Sequence, residues 1–257
     1  MTQTCHHKSQ LLTLGFCILA MPTSSLAQEA HPPHWTYEGP EDPNHWGKLD
    51  PAFAACSNGH RQSPIDIRDA RIADLPALKF DYDAAPLSII DNGHTVMVNY
   101  APGSTLMVGD KVYKLKQFHF HHPSEERVSG KRFDMVAHLV HVDADGHLAV
   151  VAVLFRKGAA NPLLETLWKN VPAEKEKTAA LSSVSLNAKD VLPKDLGYYT
   201  FSGSLTTPPC TEGVTWYVLK TTSTLSPEQL ATFAQLYPAN NRPTQPSHQR
   251  EILETKQ

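Results

Sequence analysis

Five stretches of the chain carry β-branched and aromatic residues that either alternate with polar ones or run without interruption: Thr95 to Tyr100, Lys114 to His122, Asp134 to Val142, Leu148 to Phe155 and Gly213 to Lys220. That periodicity and composition predict strands. Turn formers separate them, as in Ala101-Pro102-Gly103 and Asp143-Ala144-Asp145-Gly146. Helical spacing is rarer. Ser226-Pro227-Glu228-Gln229 offers an N-cap, a proline at the first helical position and a capping-box glutamine, with Leu230, Phe233 and Leu236 following on one face. A second short helix is expected over Pro162 to Lys169. No repeat, low-complexity block or linker divides the chain, so residues 35–257 read as one domain, mainly β with an α+β character, after a short polar segment at 28–34.

The N-terminus changes the picture of where the protein works. Met1 to Ala27 holds one charged side chain, Lys8, then an apolar run from Leu11 to Met21 and the small-residue ending Ser25-Leu26-Ala27. This is the layout of a secretory signal peptide. The run of about 11 residues is shorter than the roughly 20 a spanning helix requires, so no membrane anchor is expected. Cys17 suggests lipidation, but the bulky Phe16 before it argues against that processing. The mature protein is therefore expected to be periplasmic or secreted.

Removing residues 1–27 lowers the 23 basic residues by one and leaves the 26 acidic ones. An acidic chain without a basic run excludes nucleic acid as a partner. Of four cysteines only Cys56 and Cys210 remain, which in an exported protein favours one disulfide over two free thiols.

Candidate chemistry concentrates in Gln117-Phe118-His119-Phe120-His121. On a strand, His119 and His121 share a face with Gln117 while the phenylalanines point the other way, so two imidazoles converge on one ion. On a helix the same pair would diverge. The following strand offers His138 and His141, on opposite faces, as a third ligand. Three histidines with a fourth position left open is the arrangement of a catalytic zinc site.

With these residues in view the chain resembles the alpha-class carbonic anhydrases from about Trp35 to Ile252. The segments that carry the resemblance are Gln62-Ser63-Pro64-Ile65-Asp66-Ile67, Asn92-Gly93-His94, Gln117 to His121, Ser124-Glu125, Ala137 to His141, Ser204-Leu205-Thr206-Thr207-Pro208-Pro209-Cys210 and Asn241-Arg242-Pro243. The resemblance implies a central twisted, mostly antiparallel sheet of about ten strands flanked by short helices. It implies reversible hydration of carbon dioxide to bicarbonate and a proton, by attack of a zinc-bound hydroxide. His119, His121 and His138 would hold Zn2+, with Gln117 behind them. Thr206 would orient the nucleophile by donating its proton to Glu125.

By the same resemblance Val140, Val150, Leu205 and Trp216, with Thr207, would form the substrate pocket, apolar enough to suit a nonpolar gas. His94 would shuttle the proton outward along a path ordered by Tyr37 and Asn92, and its ordinary pKa near 6.5 suits that task. Cys56 and Cys210 match a disulfide of exported bacterial members. Sulfonamides and anions are the implied inhibitors, and the chain would be a monomer or homodimer.

Three positions depart from the family pattern. Val136 stands where many members carry a glutamate bonded to the third ligand, which predicts weaker zinc retention unless another group replaces it. Met97 replaces a common amide. His122 stands where animal members have tryptophan, and no metal role is expected for it. The competing functions are a non-catalytic periplasmic zinc-binding protein of the same fold and a zinc hydrolase acting on esters.

Overall fold

The computed structural model describes Met1, Thr2 and residues 33–256, so most of the expected signal peptide and of the 28–34 segment lies outside the described residues. All five apolar stretches are strands, with ends displaced by a few residues. In chain order the main path comprises β1 (Arg71–Ala73), β2 (Ala85–Asp91), β3 (Val96–Asn99), β4 (Lys111–His121), β5 (Met135–Val142), β6 (Leu148–Lys157), β7 (Thr178–Leu186), β8 (Tyr198–Ser204), β9 (Glu212–Leu219) and β10 (Leu253–Thr255). Their spatial order is β7-β2-β3-β4-β5-β6-β9-β8-β10-β1.

Neighbours on this path run antiparallel except β6 with β9 and β10 with β1. Thr105–Val108 pairs with β4 and carries Leu78–Asp81 antiparallel on its other side, and Ser223–Leu225 pairs with β6, which brings the twisted sheet to 13 strands. The expectation of about ten therefore holds for the path and falls short of the whole. β7, with its sequence Thr-Ala-Ala-Leu-Ser-Ser-Val-Ser-Leu, forms an outer edge, where half its residues meet solvent. An edge strand needs no strong apolar pattern, which is why the sequence did not mark it.

The period of two sorts β5 onto two faces. Ala137 and Leu139 join Phe118 and Phe120 of β4 and Val151 and Val153 of β6 in the larger core. Val136 lies in a second cluster with Val150, Leu154 and Trp216, against which Val140 packs. Directly opposed residues of paired strands share a face. His138 lies opposite His119, and Val136 opposite His121, so all three histidines stand on this second side.

His141 stands on the other side, fully buried, with its Nε2 accepting from the Tyr82 hydroxyl at 2.6 Å and its Nδ1 3.3 Å from the Ala149 carbonyl. The two hydrogen bonds satisfy a neutral ring, so His141 is a core residue and His138 the one that faces the site.

Both expected helices are present. Pro227–Leu236 starts with the complete capping box of Ser226 and Gln229, and Pro162–Lys169 is capped by Asn161. Leu163, Leu164, Leu167, Leu230 and Phe233 bury their apolar faces in the larger core. Among the described residues no helix is long and apolar enough to cross a membrane.

Burial lowers the pKa of His141 to about 4. An unfolded chain protonates this ring near pH 6.5, so its contribution to stability is complete above that pH and is lost as the pH falls toward 4. Tyr82→Phe removes the donor to its Nε2 and is expected to cost about 1–3 kcal/mol. Urea unfolding at pH 7 reads this directly: an unchanged midpoint would mean that the bond contributes nothing.

Candidate metal centre

Each of the three facing histidines has one ring nitrogen tied to the protein. His119 Nδ1 donates to Gln117 Oε1 at 2.8 Å, His121 Nδ1 to the Asn240 carbonyl at 2.7 Å, and His138 Nε2 to Glu126 Oε1 at 2.9 Å. The opposite nitrogens are therefore His119 Nε2, His121 Nε2 and His138 Nδ1. One ligand nitrogen from each ring lies within 4.8 Å of the other two. His121 Nε2 is buried without a hydrogen-bond partner, a costly state for a polar atom unless an ion takes it up.

Burial holds the pKa of all three rings below the ordinary imidazole value, that of His121 at about 4. Neutral imidazoles are what a cation requires of its ligands. Three nitrogens with an open fourth direction fit zinc in its catalytic geometry. The residues present thus fit the metal that the sequence suggests.

Two adjacent, fully buried glutamates flank the rings: Glu126 on the far nitrogen of His138, and Glu125 on the side of the free nitrogens, with Oε2 3.9 Å from His138 Nδ1. Burial and the charge of Glu126 raise the Glu125 carboxyl well above its usual range, against the pull of the Thr206 hydroxyl and Arg242. Glu125 Oε1 accepts from the Arg242 backbone N–H at 2.7 Å. Its Oε2 lies 3.7 Å from His121 Nε2 and has no partner in ordinary hydrogen-bond geometry, although Thr206 is near enough to favour the charged form. Glu126 is itself raised to about 7 by burial.

Thr206 lies just beyond β8, in a turn fixed from several sides. Ser63 and Ser204 exchange backbone and hydroxyl hydrogen bonds, Gln62 Nε2 donates to the Cys210 carbonyl, and the Leu205 amide bonds Thr211. Cys56 and Cys210 form a disulfide across 154 positions. Arg242 closes the network, donating to Gln62 Oε1 and to the carbonyls of Ser63 and Cys56. Gln62, Ser63 and Arg242 are therefore the scaffold of the Thr206 turn.

Val140, Val150 and Trp216 are register partners across β5, β6 and β9, and the Trp216 ring meets the His138 ring edge-on at 4.9 Å. Leu205 packs on the same cluster, and Thr207 accepts from the Cys210 amide. Met97 is the register partner of His119. His122 donates to the Asp134 carbonyl at 2.7 Å.

His94 stacks on Trp35 with ring centroids 3.7 Å apart, in a turn where Asn92 Oδ1 accepts from its backbone N–H. Burial and the charge of His34 lower its pKa. Tyr37 carries a buried, unpartnered hydroxyl whose pKa is driven up by burial and by Glu125.

Two residues of the site escaped the sequence reading. Asn240 supplies the carbonyl for His121, and its side chain binds the carbonyls of His94 and Phe120 and the His122 amide. Contacts made through backbone carbonyls leave no mark on residue type. Glu126 could have been found as the second acid of Glu125-Glu126 beside an apolar strand. A separate cluster, Asp143, Asp145 and His147, is an exposed turn held by its own hydrogen bonds.

Comparison with known proteins places this geometry. The family model described as eukaryotic-type carbonic anhydrase matches residues 41–256. The carbonic anhydrase of Pectobacterium carotovorum is 45% identical over 94% of this chain and 96% of its own. A hyperthermostable carbonic anhydrase from an active hydrothermal vent chimney superposes with a TM-score of 0.84 at 46% identity, covering 87% of this chain and all of its own. The alpha-carbonic anhydrase of Thermovibrio ammonificans, solved with the inhibitor sulfanilamide, gives 0.83 at 40% identity over 88% of this chain and 100% of its own.

Because the disulfide anchors one end of the Thr206 turn, a Cys56→Ser/Cys210→Ser variant is expected to melt earlier, by at most roughly 5 kcal/mol on the chain-entropy account. It should also lose activity. Calorimetry and turnover measured on the same preparation check both, and unchanged turnover would separate the turn from the bridge.

Proposed function

The chain belongs to the eukaryotic-type carbonic anhydrase family and shares its reaction, the hydration of carbon dioxide, and we propose that it works through a zinc ion held by His119, His121 and His138. The observation that carries this reading is the set of three neutral rings, each fixed at one nitrogen, whose free nitrogens converge. Zinc, when bound, lowers the pKa of a water in its open position to about 7, the effect best known from this family, and so supplies a nucleophile at neutral pH.

The protein's own residues do the rest. Thr206 sets the direction of attack: its hydroxyl donates to Glu125, which the charge of a bound zinc would keep ionised against its burial, and this leaves a lone pair to accept the proton of the attacking oxygen. Glu125 is held for this role by the Arg242 amide. Val140, Val150, Leu205 and Trp216, with Thr207 at the rim, keep carbon dioxide beside the rings in a pocket where water has few partners. Preorganised groups of this kind need no rearrangement as charge develops.

His94 takes the proton released in each turnover, with Tyr37 and Asn92 ordering water on its way. A ring with a pKa below the ordinary value returns its proton readily to neutral buffer. The same site is suited to sulfonamides and small anions, as the Thermovibrio ammonificans complex with sulfanilamide illustrates for that relative. Export with loss of residues 1–27 belongs to the same proposal and agrees with the Cys56–Cys210 disulfide.

The test is stopped-flow hydration of carbon dioxide with zinc quantified in the same sample. Wild type is expected to hold about one zinc per chain, from the three-ligand site, and His119→Ala to lose both metal and turnover. His94→Ala should keep its zinc yet slow by about 100-fold or more at low buffer concentration, with recovery when imidazole is added. Zinc bound without hydration would move the assignment to a binding protein.

A further inference from the structure

His138 differs from the other two rings in what holds its far nitrogen. His119 is held by an amide oxygen and His121 by a backbone carbonyl, both neutral acceptors. His138 Nε2 donates to a carboxylate, Glu126 Oε1, at 2.9 Å, with both residues fully buried. Val136 shares the strand face of His138 but is apolar and belongs to the cluster of Val150 and Trp216, so it offers no acceptor. The carboxylate arrives from a different part of the chain, 12 positions away.

The segment that brings it is tightly fixed. Ser124 Oγ donates to the Glu126 carbonyl and accepts from the Phe133 amide, the Ser124 amide bonds the Phe133 carbonyl, and the Arg127 amide bonds Ile65. Glu126 is thus delivered by an anchored turn. An N–H pointing into apolar surroundings needs an acceptor, and a charged acceptor both fixes the ring and makes its opposite nitrogen a better donor to a cation.

We infer that Glu126 is the positioning residue of the third zinc ligand, holding His138 so that Nδ1 faces the metal, and that it takes the place left by Val136. The inference rests on the zinc reading above. Glu126 touches neither substrate nor metal; its whole effect passes through the His138 ring. The weaker zinc retention expected from Val136 is accordingly offset.

Zinc-loaded wild type, Glu126→Ala, Glu126→Gln and the relocation variant Glu126→Ala/Val136→Glu supply the test. Zinc release into a chromogenic chelator and the visible spectrum of the cobalt-substituted proteins are recorded, with circular dichroism as the check on folding. Glu126→Ala should release zinc about 10- to 100-fold faster than wild type, with a shifted cobalt spectrum. Glu126→Gln, whose amide oxygen still accepts the N–H, should fall between the two. Glu126→Ala/Val136→Glu, which restores a carboxylate to the same strand face, should regain most of the retention.

Release from Glu126→Ala at the wild-type rate with an unaltered cobalt spectrum would overturn the inference. So would a folded relocation variant as leaky as Glu126→Ala. If Glu126→Ala does not fold, Glu126→Gln decides: faster release supports the role and unchanged release refutes it. Wild type that takes up neither zinc nor cobalt would instead sink the zinc reading itself, a result distinct from all of these.

Discussion

Three N–H bonds point away from the floor of the site, and the rest of the structure depends on their direction. An imidazole has two nitrogens, and a protein that satisfies one of them with a buried acceptor has decided what the other faces. Here the acceptors are an amide on the same strand, a carbonyl from the segment after the last long helix, and a carboxylate from an anchored turn. They come from three different parts of the chain, so the site exists only when the sheet, the helix exit and the turn are all in place. Local unfolding of any one of them would disorient a ring before the fold itself was lost.

The proposed chemistry depends on a second assembly of the same kind. The Thr206 turn leaves β8 and is bound by Gln62 and Ser63 from the N-terminal part, by the disulfide to Cys56 and, through Arg242, by the C-terminal part. The buried guanidinium makes three hydrogen bonds there, two of them to carbonyls, while its own backbone amide holds Glu125. One residue thus joins the frame of the turn to the carboxylate with which the threonine is proposed to pair.

What the sequence revealed follows from which forces write themselves into residue type. Alternation in β4 and β5 was plain because the two faces of each strand differ, one packed in the apolar core and the other bearing the histidines, with β4 turning polar and exposed on that second face toward its start. The capping box of Ser226 and Gln229 was legible because the hydrogen bonds come from side chains selected for that place. β7 and β8 were not, since their pairing uses backbone groups that every residue has, and β7 lies at an edge. Period alone left His138 and His141 as alternatives. The resemblance chose between them, and the structure adds the reason: Tyr82 and Ala149 satisfy both nitrogens of His141 within the core. Glu126 was visible as an acid beside an apolar strand, but its role was not, because that role depends on a fold that brings residues 12 positions apart into contact.

The pairing of an apolar Val136 with an acidic Glu126 also constrains how such a site changes over generations. Moving the carboxylate from one position to the other in single substitutions passes through a chain with both acids or with neither. Both would crowd like charges around one N–H in a buried space, and at least one would resist ionisation. Neither would leave a buried donor without an acceptor, at a cost of about 1–3 kcal/mol. On this account each intermediate holds the His138 ring less well than either end, so the two arrangements are separated by an energetic barrier at that one hydrogen bond.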